Sequence, residues 1–496
     1  MRRLDNNSGF ALTLGLIFLF LIVSFMAVYI LAVANGISES NRIANEKRAY
    51  YIADAGLADA YERIVQAGTT NFASSICTNS NEPSTCTSAF IPSSTTDNGT
   101  YYLLSGSTTY KGSYTVSLVY SGSPRTNYVI TSQGTYGNIS ETVQLKTIGA
   151  AISRYAYWSQ TEISPVYGQL WWISGQLTTG PVQTNGTFNI FGNPVFDGAV
   201  SEVGSSPNYY YGTGTNPSST TTSDPGYIFP DGLTNKAPAI SLPASSTLAD
   251  FSSAATNGGI TLTGASTIIF NSNGTLTVTG KVINSSCSTT SNYNKTTLSI
   301  PSSGVIYVQS TSKISACKSS ATDGNATIQG TVNGQLTVAA DQNIYISGNI
   351  VYQDEPPRPG IATGGDPNST NMIGMVAGEN VTVEEAVAPA QLEIDGVLMA
   401  IQGSFDVDNP QINPDPVSGG DAAVMSQFGS MINYASGCTG YVNGAGQLTS
   451  GWNQVQSYDT RLANLAPPGF PALVNSAGQG VYVKEGIYQC FSGTCG

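Results

Sequence analysis

Histidine is absent from the 496 residues, and charge is scarce: 18 Lys and Arg, 31 Asp and Glu, 10% of the chain together. Each shortage excludes something. Without an imidazole there is no Ser-His-Asp or Cys-His nucleophile system and no His-ligated zinc, copper or iron centre. With so few cations and a formal net charge of -13, no surface matches a nucleic-acid backbone, which takes clustered Lys and Arg. The charged fraction lies well below the roughly 25% of an ordinary soluble domain. Solvent must therefore be met by Ser, Thr, Asn, Gln and Gly. Carboxylate chemistry, oxygen-ligand ions such as calcium, sugar binding by aromatics, or no reaction at all remain open.

The little charge there is sits unevenly. Up to Gln66 six basic residues balance six acidic ones, so the whole net charge falls beyond it, where 12 basic residues face 25 acidic. Phe10 to Ala34 carries no charge, and at 1.5 Å per helical residue it is long enough for a hydrocarbon core of roughly 30 Å. Arg2 and Arg3 precede this run and Glu39 follows it, which places the N-terminus in the cytoplasm and the remainder outside. The competing reading is a cleavable secretory signal ending at Ala32-Val33-Ala34, although the apolar run is longer than such signals carry. From Glu39 to Val65 the chain has good helix formers and no Pro. Ala49, Ile52, Ala53, Leu57, Ala60, Tyr61 and Ile64 recur there at steps of three and four, giving one apolar stripe. One helix from Phe10 to Gln66, roughly 85 Å long, is the expectation.

A short basic leader ending in Gly9, then Phe10, an uncharged span, and Arg48-Ala49-Tyr50-Tyr51-Ile52-Ala53-Asp54-Ala55-Gly56-Leu57-Ala58-Asp59-Ala60 resemble the start of PilX-type minor pilins and related type IV pilus assembly proteins. The resemblance covers about the first 65 residues. It implies cleavage by a prepilin peptidase after Gly9, leaving Phe10 as the first mature residue, and packing of the helix with other pilins. It also implies a bacterial inner-membrane location with one span. Most major pilins have a glutamate at the fifth mature residue, where this chain has Leu14. Its absence speaks for a minor component rather than a repeating shaft subunit.

Beyond Gly68 the period changes from helical to alternating. Tyr101 to Leu104, Ser113 to Tyr120, Tyr128 to Thr131 and Thr142 to Lys146 read as strands of a small antiparallel sheet laid on the helix. After Ala150 short β-rich runs recur with Gly or Asn between them. Ile328, Leu336 and Ile344 are spaced by eight, with Gly330, Gly334 and Gly348 at the bends. This close spacing, with no helix between, reads as a parallel β-helix or solenoid, with a β-sandwich as the competing fold. The expected organisation is a leader (1–9), a transmembrane helix (10–35), its amphipathic continuation (36–66), a small sheet (67–150) and a β-helix-like ectodomain (151–496). Gly180 to Gly186 with Gly192 to Phe196, and Tyr458 to Leu462 with Pro467 to Pro471, resemble the opening and closing segments of large ectodomains fused to PilX-like N-termini. That second resemblance implies no activity.

Seven cysteines lie on the outward side of the span, where disulfides persist. Cys77 with Cys86, Cys287 with Cys317, and Cys490 with Cys495 are the economical pairs, leaving Cys438, which pairs with Cys490 or Cys495 in another connectivity. Asp406 and Asp408, with Asp415 nearby, alternate as calcium ligands do, but the EF-hand glycine and closing glutamate are missing. A solvated acidic loop is the competing reading, and no other cofactor is expected. Adjacent acids such as Glu384 and Glu385 say nothing about the cross-cleft geometry a glycosidase needs. Tyr155, Tyr157, Trp158, Trp171, Trp172 and Tyr209 to Tyr211 form aromatic clusters that stack on sugars or proteins if exposed, and build core if not. The sequence thus points to a non-enzymatic minor pilin-like component that primes assembly or adheres. The alternative is a membrane-anchored surface protein that binds or cleaves polysaccharide.

Overall fold

The computed structural model describes residues 7–67, 85–90, 100–105, 108–121, 127–210, 224–243, 247–317, 323–359, 364–412, 423–443, 447–475, 481–491 and 494–495. A single helix, α1 (Asn7–Ala67), opens the chain, and its two halves differ in cover. From Leu12 to Ala44 every residue is exposed, although the most apolar 18-residue window has a mean hydropathy of 3.0 and none of it is buried. Such a surface is compatible with a single-pass membrane anchor. In the second half Ala49, Ile52, Ala53, Leu57 and Ala60 are buried against Tyr114, Val116, Ile130, Val143 and Leu145. Burying an Ile or Leu in this way contributes about 1.5–3 kcal/mol.

The partner of that face is an antiparallel sheet. In chain order it contains β1 (Thr85–Phe90), β2 (Thr100–Ser105), β3 (Thr108–Ser121), β4 (Asn127–Tyr136) and β5 (Ile139–Gly149). Helix and sheet meet at backbone distance. A Cβ on Gly134 of β4 would stand 2.2 Å from the Ala49 carbonyl oxygen and 2.3 Å from the Ala53 nitrogen, which explains why the helix carries alanines on this face. The sheet is completed from the far end of the chain, because Tyr482–Phe491 pairs antiparallel with β5. Residues 151–496 are therefore not one unit, as the expected boundary has them. Membership of a sheet is decided by a distant partner, which leaves no local mark in sequence. The two crossings lie side by side: Ala150 N donates to Val481 O at 2.8 Å and Leu473 N to Ala150 O at 2.6 Å.

Between these crossings runs a 19-stranded sheet, largely parallel and closed on itself. Ile260–Asn271, Val305–Gln309, Gln335–Ala340, Met372–Ala377, Gln391–Ala400 and Val424–Ala435 pair in that order. The next layer is β6 (Tyr157–Thr161), followed by Val182–Thr184 and Val200–Glu202. The chain thus enters at the middle of the ladder, builds outward to one end, crosses to the other, and builds back. A solenoid with every coil laid on the one before it is not what forms. The repeat spacing sets strand length and inward positions, but it does not set the order of the layers.

Local chemistry supports each layer. Val305, Ile306, Tyr307 and Val308 are all buried, because one face lines the interior and the other is covered by the helix Thr247–Thr256 and the segment around Leu462 and Phe470. Such an unbroken apolar run is the mark of a parallel strand buried on both faces. At one bend stacked asparagines supply the missing acceptors: Asn325 Oδ1 accepts from Asn343 N (3.0 Å), Asn343 Oδ1 from Asn380 N (3.0 Å), and Asn380 Oδ1 from Ser404 N (2.8 Å). At another bend Gly396 and Gly429 pair in register with φ of 126° and 141°. A Cβ on Gly429 would lie 2.0 Å from the Gly396 carbonyl oxygen. Past Ile260–Asn271 the ladder ends in an antiparallel hairpin, Thr275–Ile283 with Thr289–Ser299, whose polar outer strand protects the edge.

Candidate functional site at the closure of the parallel sheet

The two segments of the β domain that carry a resemblance, nearly 280 residues apart, meet in space. Leu177–Thr179 pairs in parallel with Asn453–Tyr458, Tyr458 N donates to Thr179 Oγ1 at 2.9 Å, and a Cβ on Gly180 would fall 2.5 Å from the Tyr458 side chain. Gly180 also has φ of 89°, so glycine is required there twice over. Asp459 caps the turn Thr460–Ala463. Arg461 donates to the carbonyls of Ser369 (2.8 Å) and Asn371 (2.9 Å), which fixes the end of this segment to an earlier layer.

Next to this junction lies a cleft of about 270 Å³. One wall comes from β6 and the turn after it, the other from the end of Val424–Ala435 and the hairpin Gly440–Val442 with Leu448–Gly451. Alternation along β6 decides its role: Tyr157 faces the interior of the closed sheet, while Trp158 faces the outer core. Glu162, just beyond β6, is 2% exposed. Its Oε1 accepts from Tyr157 Oη (3.3 Å) and from Ser159 Oγ, and its Oε2 from Trp172 Nε1 (3.3 Å) and Ser436 Oγ (2.6 Å). A buried carboxylate is tolerated when donors surround it, and here there are four. Burial and the neighbouring Glu162 hold the Tyr157 hydroxyl well above its usual range, so it stays a donor.

The consequence of this network is the pose of Trp172. Its indole N–H is tied to Glu162, its ring meets Tyr157 edge-on at 5.0 Å, and it tilts against Phe196 at 4.9 Å. Trp171 packs on Tyr210 at 5.1 Å, and Phe191 on Tyr210 at 4.5 Å. Tyr167 and Tyr441, one from each wall, stand edge to face at 6.3 Å. The aromatic clusters therefore divide between core and cleft: Trp158 is fully buried, whereas Trp171 and Trp172 line the opening. A second buried acid, Glu202, accepts from Phe188 N at 3.0 Å, and among the described residues its Oε1 has no partner. Burial pushes this carboxyl up, and Glu162 adds to the effect.

Of the other candidates, only Cys438 joins the cleft among the described residues. Gly9 and Phe10 lie near the start of α1. Cys287 and Cys317 are joined by a disulfide. The backbone register sets Cys490 opposite Cys495 and Cys86 opposite Leu118, while Cys77 lies outside the described residues. Cys438 is a buried free thiol in the cleft wall, donating to Gly440 O, and burial pushes it up. Asp406 accepts from Thr382 Oγ1 at 2.7 Å, and Asp408 from Glu385 N at 2.9 Å. Burial raises Asp406 to about 6. Asp415 lies outside the described residues, and among those described no three His, Cys, Asp or Glu side chains gather as a metal set. Glu162 escapes a sequence reading because it is a lone acid. Its only signal is its place between Tyr157 and Trp172.

A family model described as a domain of unknown function, DUF4900, matches residues 123–205, a stretch that includes β6, Glu162 and both cleft tryptophans. No curated protein matches the chain in sequence. The crystal structure of the competence-associated pilin ComZ from Thermus thermophilus aligns over 90% of this chain and 98% of that one, at 13% identity and a TM-score of 0.30, a level of likeness that decides neither fold nor function.

Proposed function

We propose that the chain is a minor pilin-like component of a type IV pilus or related filament system. The first half of α1 inserts into the inner membrane and packs with other pilins. The second half carries a small sheet into which the large β domain is set, outside the membrane, for assembly priming or adhesion. In this reading the closed, layered β domain presents a binding surface and performs no reaction. The observation that carries the proposal is the division of one continuous helix into an uncovered, uncharged half and a half built onto a sheet. That geometry suits a subunit held in the membrane and then by neighbouring helices.

Processing tests it. Co-expression with a prepilin peptidase, followed by N-terminal sequencing, is expected to yield a chain that begins at Phe10. An intact Met1, or a start at Asn35, overturns the pilin reading and leaves a surface protein held by its span or released by signal cleavage.

A further inference from the structure

We propose that the cleft between Trp171 and Tyr441 is a binding site for a neutral carbohydrate. Its walls offer flat apolar faces beside amide edges, the pairing that suits a pyranose ring with its C–H face and hydroxyl rim. The tryptophans are held in place, Trp172 by its N–H bond to Glu162 and Trp171 by its contact with Tyr210. Tyr441, also in the lining, is 42% exposed at the rim and meets Tyr167 at 6.3 Å.

The polar groups of the cleft have unused hydrogen-bonding capacity. Asn433, 1% exposed, uses its carbonyl oxygen on Phe405 N, and Gln176 uses its own on Ile173 N. Their amide nitrogens have no partner among the described residues. Gln169 and Gln454 are engaged through their nitrogens instead, which leaves two carbonyl oxygens as acceptors. The cleft therefore presents both donors and acceptors on uncharged groups, as a polyhydroxyl ligand requires.

Charge narrows the class further. Among the described residues no Lys or Arg lines the cleft, so an acidic glycan or a phosphate finds no counter-charge there. Burial, with Cys438 and Tyr441, raises Tyr167, and Asp406 and Asp408 add to the effect, so negative charge nearby opposes such ligands. Among the described residues the one carboxylate in the wall, Glu162, already accepts four bonds, so a cation gains little from it. A lipid chain would strand the amides without partners, at a cost. A neutral sugar meets every one of these conditions.

The proposal does not rest on the filament reading, since processing and sugar binding are measured separately and one can fail without the other. The test uses the full chain in detergent micelles, titrated by calorimetry and tryptophan fluorescence with cello-, malto-, laminari- and chito-oligosaccharides, and with polygalacturonate and choline as comparisons. Saturable binding of at least one neutral oligosaccharide is expected in the micromolar to millimolar range. Trp171→Ala and Tyr441→Ala should each weaken it by about tenfold while circular dichroism and the melting temperature stay unchanged. If Trp171→Ala perturbs folding, Tyr441→Ala decides alone, because its side chain is at the rim. No binding of any neutral oligosaccharide at millimolar concentration, binding that both variants retain in full, or binding of polygalacturonate or choline alone overturns it.

Discussion

Asp395 has 1% of its surface exposed and two partners, Arg358 Nη2 on one oxygen (3.0 Å) and Tyr352 N on the other (2.8 Å). Burial outweighs both and lifts this carboxyl to about 7. In the unfolded chain an aspartate titrates near 3.9. Between those two values the folded chain holds a proton that the unfolded chain has lost, so stability falls as pH rises through that window. Asp406, raised to about 6, acts in the same direction over the lower part of it. Arg358 keeps Glu355 and Glu393 as partners and the ring of Phe428 at 4.8 Å, so it is not orphaned when Asp395 changes. Asp395→Asn should therefore flatten the decline in melting temperature between about pH 4 and pH 7, as read by circular dichroism across a pH series. A decline as steep as that of the parent chain would show that Asp395 is ionised throughout.

At the scale of the element, what was legible in sequence depended on how local its cause is. The helix was legible because its stripe repeats within one turn. Ile328, Leu336 and Ile344 were legible because their spacing of eight is a local repeat, and all three are fully buried. The order of layers was not legible: Tyr157 lies opposite Met431, and nothing in either neighbourhood records the other. The cleft divides in the same way. Its tryptophans stand out as a cluster, while Asn433, Ser436 and Cys438 arrive from a segment some 270 residues later. The disulfide between Cys287 and Cys317 is an element-scale device, since it ties the turn of the edge hairpin to the loop after Val305–Gln309. Closing a loop of that length contributes about 2–4 kcal/mol. Cys287→Ser should lower the melting temperature. It should also speed amide exchange selectively in residues 275–299, leaving β6 and its neighbours protected. Uniform loss of protection would mean that the hairpin is not a separate edge but part of one cooperative unit.

At the scale of the molecule, the β domain is an insertion. The chain leaves the small sheet at Ala150 and returns at Val481, and those two residues are hydrogen-bonded to each other. Among the described residues, nothing in the core formed by Ala49, Ile52, Leu57, Tyr114 and Ile130 comes from the intervening segment. An insertion whose ends adjoin can be removed with little loop-closure cost. Joining residue 150 to residue 481 through a few glycines should therefore leave α1 and its sheet folded, with Tyr482–Phe491 still paired to β5. The complementary piece, residues 150–481 alone, should fold as a soluble unit whose closed sheet and cleft are intact, because β6 and Asn453–Tyr458 both remain within it. Circular dichroism and amide exchange on the two pieces decide this. Collapse of the excised helix and sheet would show that the β domain is needed to hold the last strand in place, and would make the two parts one folding unit. If both pieces hold, the anchor and the binding surface are physically independent modules. On the proposed filament role, that independence lets the helix pack with other pilins without disturbing the cleft.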